Sequence, residues 1–219
     1  MAQNINGCCT FCLSLYSILT KEYTHYMKSI LKSRRLILGS KSPRRSQLLK
    51  ELDIPFVKKV EDTDESFPAD MPVLDVAEYI ARVKAEALRP RLKDNDIILT
   101  ADSVVICEGV IYGKPADAQQ AKEYLQIISN NIHQVVTGVC LMDAHKMVSF
   151  SEVADVKLKS ITEEELAYYV SQYMPIDKAG AYGIQEWYGH AKIEWIKGTY
   201  TNIMGLPTGL VYDELMQFV

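Results

Sequence analysis

Leu36-Ile37-Leu38-Gly39-Ser40-Lys41-Ser42-Pro43-Arg44-Arg45 reads as the end of a strand, a turn and the start of a helix. Its apolar run stops at two hydroxyls, a proline and two guanidiniums. Ser42 suits an N-cap and Pro43 the first helical position, and Leu48, Leu49 and Leu52 then recur at helical spacing before Pro55. Free N–H groups, two hydroxyls, Arg44 and Arg45 therefore converge at one helix N-terminus. A phosphate there gains hydrogen bonds and the positive end of the helix dipole. The alternative for this segment is a capped surface helix with solvated arginines.

Downstream, strand-like and helical patterns alternate as an α/β domain requires. After Phe56-Val57 comes the acidic, turn-rich stretch Glu61-Asp62-Thr63-Asp64-Glu65. Val73, Val76, Ile80, Val83 and Ala87 then step by three and four, which predicts an amphipathic helix from about Pro72 to Leu88. Lys84 sits near its end beside the apolar stripe, where a lysine ordinarily snorkels to solvent. The run Ile97 to Ile106 is interrupted by one carboxylate, Asp102. Either Asp102 caps a break between two strands, or it faces a polar cleft where a cation or water compensates it. A hairpin through Glu108-Gly109 returns by Val110-Ile111-Tyr112 to Gly113-Lys114-Pro115 and carries Lys114 back towards Asp102. Further on, the pattern predicts a helix from about Asp117 to Ser129 and a long hairpin of His133 to Met142 with Met147 to Leu158. Thr162-Glu163-Glu164-Glu165 reads as a capping box opening a helix to about Tyr173, its acidic run a dipole-favoured first turn rather than a metal site.

The chain has 219 residues, 48% of them hydrophobic, enough to bury a full core. Its net charge of −4 argues against a nucleic-acid polymer or an anionic membrane as partner, so any anion bound is small and held locally. Cys8, Cys9 and Cys12 lack the histidines or second cysteine pair of a zinc site, while Cys107 and Cys140 look like core residues of a reducing compartment. The apolar stretch Gly7 to Thr20 has no basic residue before it and is too short to span a bilayer, so a cytoplasmic protein is expected. Residues 1–30 read as a poorly specified extension, with Met27 an alternative start, and 31–219 as one α/β domain. His25, His133, His145 and His190 have no metal-ligand spacing and receive no role, and Trp187 and Trp195 read as packing or interface residues.

The loop Pro175-Ile176-Asp177-Lys178-Ala179-Gly180-Ala181-Tyr182-Gly183-Ile184-Gln185 breaks every periodicity. Its small residues allow close backbone approach to a ligand, Lys178 offers a point charge for phosphate, and Gln185 carries a donor and an acceptor suited to the edge of a base.

Together, Ser40-x-Ser42-Pro43-Arg44-Arg45, Ala101-Asp102-Ser103-x-Val105, Lys114-Pro115, Lys178 to Gln185 and Asn202-x-x-Gly205-Leu206-Pro207 resemble the ordered motifs of the Maf family of nucleotide pyrophosphatases, over about Leu36 to Val211. The resemblance implies a mixed twisted sheet with flanking helices, two lobes around a cleft, similar to the inosine-triphosphatase-like fold. It implies hydrolysis of a nucleoside triphosphate to monophosphate and pyrophosphate, a house-cleaning activity, with a divalent metal cation (Mg²⁺ or Mn²⁺) and often a homodimer. Asp102 would be the base or water-orienting carboxylate, Glu65 and Asp102 would hold the metal, and Ser40, Ser42, Arg44, Lys84, Lys114 and Lys178 would surround the triphosphate. Arg45, Ser103 and Gln185 fall at the specificity positions and resemble the subgroup acting on dTTP and UTP, except that Ser103 stands where that subgroup usually has threonine. Glu186-Trp187-Tyr188 is a second departure, since a glycine-rich continuation is common there. The alternatives are a 7-methyl-GTP-type pyrophosphatase and a non-catalytic nucleotide-binding regulator of cell division.

Overall fold

The structure, a computed structural model, describes residues 31–219, and the expected extension over residues 1–30, with Cys8, Cys9, Cys12, His25 and Met27, lies outside them. The described residues form a seven-stranded mixed sheet. β1 (Arg35–Leu38) lies parallel between β2 (Phe56–Lys58) and β3 (Asp96–Cys107). β5 (Ile132–Met142), β6 (Met147–Leu158) and β7 (Ile193–Lys197) extend the sheet from β3 in antiparallel order, and β4 (Val110–Tyr112) folds back on the end of β3. Parallel pairing is confined to strands joined through helices, and the predicted hairpins supply antiparallel pairs.

The helices are α1 (Pro43–Glu51), α2 (Val76–Leu88), α3 (Ala118–Ile128), α4 (Glu163–Tyr173), α5 (Trp187–Lys192), α6 (Tyr200–Met204) and α7 (Thr208–Met216). On one face of the sheet, α2 sets Ala81, Ala85 and Leu88 on Ile37, Ile98 and Cys140, and Val76, Ala77 and Ile80 on Val104, Ile106 and Val136. On the other face, Leu48, Leu49, Val211 and Leu215 of α1 and α7 cover Leu38, Leu99, Ala101 and Val139. Farther along that face, Leu125, Leu166, Tyr169 and Tyr188 of α3, α4 and α5 cover Val105, Val135 and Val156. Each large side chain so buried contributes about 1.5–3 kcal/mol. Both faces of β3 are covered along most of its length, which is why its sequence is a continuous apolar run rather than an alternation.

α2 begins later than the periodicity predicts. Residues 68–75 form turns instead, with the Met71 N–H donating to the Pro68 carbonyl (3.0 Å) and the Asp75 N–H to that of Pro72 (2.9 Å). Val73 still packs against the α2 cluster, so it keeps the spacing of a helix it does not belong to. Gly138 of β5 sets how closely α2 approaches the sheet: a Cβ there would lie 2.2–2.3 Å from backbone atoms of Ala77 and Glu78.

Two glycine substitutions separate close approach from mere flexibility. Gly138→Ala forces backbone apart and should lower unfolding stability in urea by about 2–3 kcal/mol. Gly209→Ala, on α7 with open space around it, should raise stability by about 0.5–1 kcal/mol.

Candidate active site

β3 outruns its neighbours along one edge. β1 pairs with it only as far as Leu38 opposite Leu99, and β4 takes up the pairing at Tyr112 opposite Val105. Residues 100–104 between those limits keep β5 on their other side. Asp102 and Ser103 therefore lie on an uncovered stretch of strand, and the pleat sends their side chains to opposite faces. The Gly39 N–H still donates to the Leu99 carbonyl (2.8 Å), after which the chain leaves the sheet as the Ser40–Ser42 turn. A cleft of about 330 Å³ opens there, lined by that turn, the acidic stretch at 61–65, the β3 edge and the loop from Asp177 to Gln185.

Asp102 faces α2, where its Oδ1 accepts a hydrogen bond from Lys84 Nζ at 2.7 Å. Glu65 Oε1 lies 2.8 Å from the same ammonium. The strand is unbroken, so of the two readings of Asp102 the polar cleft with a compensating cation is the one found. Lys84 is correspondingly turned inward, its side chain only 16% exposed, because two carboxylates draw it away from solvent. Lys41 and Arg91 tie Asp62 and Glu61 of the same acidic stretch, which has no regular secondary structure of its own.

On the opposite face, Ser103 Oγ is 2.8 Å from Thr137 Oγ1, its direct partner across β5. Thr137 donates its own hydrogen to the Asn202 carbonyl (3.0 Å), so Ser103 is the donor to Thr137. Ser103 also accepts from Arg45 Nη2 at 3.0 Å, which engages its hydroxyl from both sides. Arg45 further donates from Nε to the Gly205 carbonyl (2.7 Å) and from Nη1 to Ser40 Oγ (3.3 Å). Burial draws the Arg45 guanidinium below its ordinary range, against the opposing pull of Asp102, yet a guanidinium stays protonated. Gly205 ends α6 at φ 113°, a conformation that favours glycine.

Ser42 caps α1 as predicted, its Oγ accepting from the Arg45 N–H at 3.4 Å. Ser40 Oγ accepts from the Ser42 N–H (3.2 Å) as well as from Arg45, which leaves its own hydrogen to donate. The remaining cations, Arg44, Lys114 and Lys178, also line the cleft, and two of them are ion-paired. Arg44 Nη1 is 2.9 Å from Asp177 Oδ2, while Lys178 Nζ is 2.6 Å from Asp177 Oδ1 and 3.1 Å from Glu186 Oε1. Burial alone would raise the Asp177 carboxyl, but the hydrogen bonds from Lys178 and Arg44 outweigh it and hold the group below its usual range. Lys114 lies exposed on the cleft wall and makes no ion pair among the described residues.

Gln185 lines the cleft with its Oε1 buried and without a hydrogen-bond partner. Its carbonyl lies 3.1 Å from His190 Nε2. Tyr182, also on the cleft wall, has its hydroxyl 2.8 Å from Nε2 of the buried His133, a residue given no role from sequence. Trp187 packs edge-on to Tyr168, as a packing residue should, while Trp195 on β7 is 41% exposed. Asp177, Glu186 and Thr137 also escaped the sequence reading. Asp177 adjoins a loop lysine and Glu186 was visible as a departure, but the pairing of Thr137 with Ser103 follows from strand register, which no local pattern carries.

Glu65 and Asp102 already share one cation, so their oxygens converge. Among the described residues there is no group of three or more His, Cys, Asp or Glu able to hold a metal ion. Two carboxylates suit a hard divalent cation that takes its other ligands from phosphate and water.

A family model described as Maf-like protein matches residues 35–218. The dTTP/UTP pyrophosphatase of Parabacteroides distasonis is 44% identical over 189 residues, covering 86% of this chain and 98% of that one. That of Porphyromonas gingivalis is 44% identical over 191 residues, covering 86% and 96%. That of Flavobacterium johnsoniae is 38% identical over 193 residues, covering 88% and 100%. Among solved structures, the Ham1 protein of Staphylococcus aureus overlaps 83% of this chain and 100% of its own at 14% identity and a TM-score of 0.45.

Burial pushes His133 down from its ordinary value of 6.5 to about 4. The unfolded chain therefore takes up a proton first as pH falls, and stability is full above about pH 6.5 and lost down to about pH 4. Urea titrations across that window should show roughly 3 kcal/mol of loss from this group, absent in His133→Gln.

Proposed function

The chain belongs to the Maf family, and from that premise we propose that it hydrolyses dTTP and UTP to the monophosphate and pyrophosphate. The observation that carries the reading is the pairing of Asp102 with Lys84 on the uncovered edge of β3, inside a cleft that also presents the Ser40–Arg45 turn. Pure anion binding needs the turn and its cations but not a carboxylate on the strand.

In this mechanism the triphosphate lies along Ser40, Ser42, Arg44, Lys84, Lys114 and Lys178, which stabilise charge as it builds on the leaving pyrophosphate. Asp102 orients a water and takes its proton as the oxygen bonds to the α-phosphorus and the bond to the β-phosphate oxygen breaks; attack at that phosphorus is what the family implies. Glu65 and Asp102 would hold a divalent cation, Mg²⁺ or Mn²⁺, which when bound neutralises phosphate charge. Lys84 then has phosphate oxygens in place of the carboxylates it holds without substrate.

At the other end, Gln185 supports a pyrimidine with a ring N–H. Its unpartnered Oε1 is an acceptor for N3–H of thymine or uracil, and its amide nitrogen a donor to O4. Arg45 and Ser103 bond each other and so shape the wall beside the base.

Incubation with Mg²⁺ or Mn²⁺ and a panel of dTTP, UTP, CTP, GTP, ATP and 7-methyl-GTP tests the assignment. Pyrophosphate release concentrated on dTTP and UTP is the expected result, and binding without turnover of any nucleotide would sink it. Asp102→Asn should lower kcat by about a hundredfold or more while leaving triphosphate binding largely intact. Gln185→Leu should lower kcat/KM for dTTP by about tenfold or more, because the base then buries an unpaired N–H.

A further inference from the structure

Lys178 is the most enclosed of the cleft lysines, 7% exposed, and the two carboxylates that hold it are unlike each other. The Asp177 side chain is 54% exposed and is shared with Arg44, so it occupies a seat between two cations. A phosphate oxygen has the charge and geometry to take that seat. Glu186 is only 17% exposed and is secured from behind. The Tyr169 hydroxyl donates to its Oε2 at 2.5 Å, and the same phenol oxygen accepts the Gly183 N–H at 3.1 Å. Burial first, then the Glu186 carboxylate, raises the Tyr169 phenol far above its ordinary range and keeps it a donor. Gly183 adds a steric limit, since a Cβ there would lie 2.8 Å from Glu186 Cδ. The more enclosed carboxylate is thus fixed by α4 and by the loop itself, while the exposed one is held only by the two cations a phosphate would take from it.

We propose that Glu186 is a positioning residue for Lys178, retaining its ammonium in the cleft when an incoming triphosphate displaces Asp177. This deepens the pyrophosphatase reading and rests on it. An ammonium has three hydrogens and a flexible four-carbon stem. With the ammonium held by its 3.1 Å ion pair to Glu186, its hydrogens remain available to phosphate and the stem is already ordered, so less entropy is lost on binding. Glu186 also brings a negative charge close to the phosphates. As a bare charge it would weaken binding, as a positioning group it strengthens it, and the two effects have opposite signs.

Calorimetric binding of inorganic triphosphate, with no divalent metal present, reads this lysine seat without involving the base or turnover. Glu186→Gln should weaken that binding by about tenfold in the natural background and by less than about twofold in a Lys178→Met background. In dTTP hydrolysis the same loss should fall mainly on KM. Binding by Glu186→Gln that equals or exceeds that of the unsubstituted chain would overturn the proposal, as would an equal loss in both backgrounds. If Glu186→Gln does not fold, Tyr169→Phe keeps the charge but removes its support, and it should weaken triphosphate binding in the same direction; unchanged binding there is equally fatal. A chain that binds inorganic triphosphate as described yet hydrolyses no nucleotide would fail the pyrophosphatase reading and leave the positioning role standing.

Discussion

The mismatch in length between β1 and β3 is the constraint on which the site depends. A strand of four residues lies against one of twelve, so the shorter runs out while the longer continues through Thr100 to Val104. Two consequences follow from that one inequality. The end of β1 must turn out of the sheet, which puts the Ser40–Ser42 turn and the start of α1 beside the gap. The bare edge of β3 presents alternate side chains to both faces, so Asp102 and Ser103, adjacent in sequence, serve different walls of one cleft. In open α/β sheets generally, ligand sites lie outside the carboxyl ends of the parallel strands.

Charge inside the cleft is balanced by the chain itself. Lys84 is paired with Asp102 and Glu65, Lys178 with Asp177 and Glu186, and Arg44 with Asp177. In surroundings poorer in water than the surface, an unpaired cation is costly, and deleting one partner of such a pair commonly costs more than the pair contributes. The pairs therefore keep the cations folded inward and ordered before a ligand arrives. On the proposed function, binding is an exchange of anionic partners rather than the burial of bare charge. Carboxylates that can withdraw make that exchange feasible, and the half-exposed Glu65 and Asp177 are of this kind, whereas Glu186 is not.

Much of the fold was legible because the relevant signals are local. The cap at Ser42, the capping box at Thr162 and the turns of the two hairpins are each written within a few residues, and all are present. Periodicity places the start of α2 too early because Val73 is apolar for packing and not for helix formation. The fate of Lys84 was hidden for a different reason. Its position on α2 favours solvent by local rules, and only the tertiary approach of Asp102 and Glu65 reverses this. The same holds for Lys178, whose charge is visible in the sequence but whose ion pair with Glu186 is not.

Ser103 shows how far one residue's reading depends on such neighbours. Viewed as a specificity residue, a serine in place of threonine suggests a hydroxyl that reaches the base with one methyl fewer around it. In the structure the hydrogen of that hydroxyl goes to Thr137 and its oxygen receives Arg45, with Thr137 in turn committed to Asn202. Nothing in that chain of bonds depends on a γ-methyl, so the exchange of threonine for serine leaves the polar wall intact and alters only contact area. On the proposed pyrimidine reading, choice among bases then passes to a cleft residue whose buried amide oxygen has no hydrogen-bond partner. That residue is Gln185, and a base must satisfy its buried oxygen or leave it unpaired at a cost of about 1–3 kcal/mol.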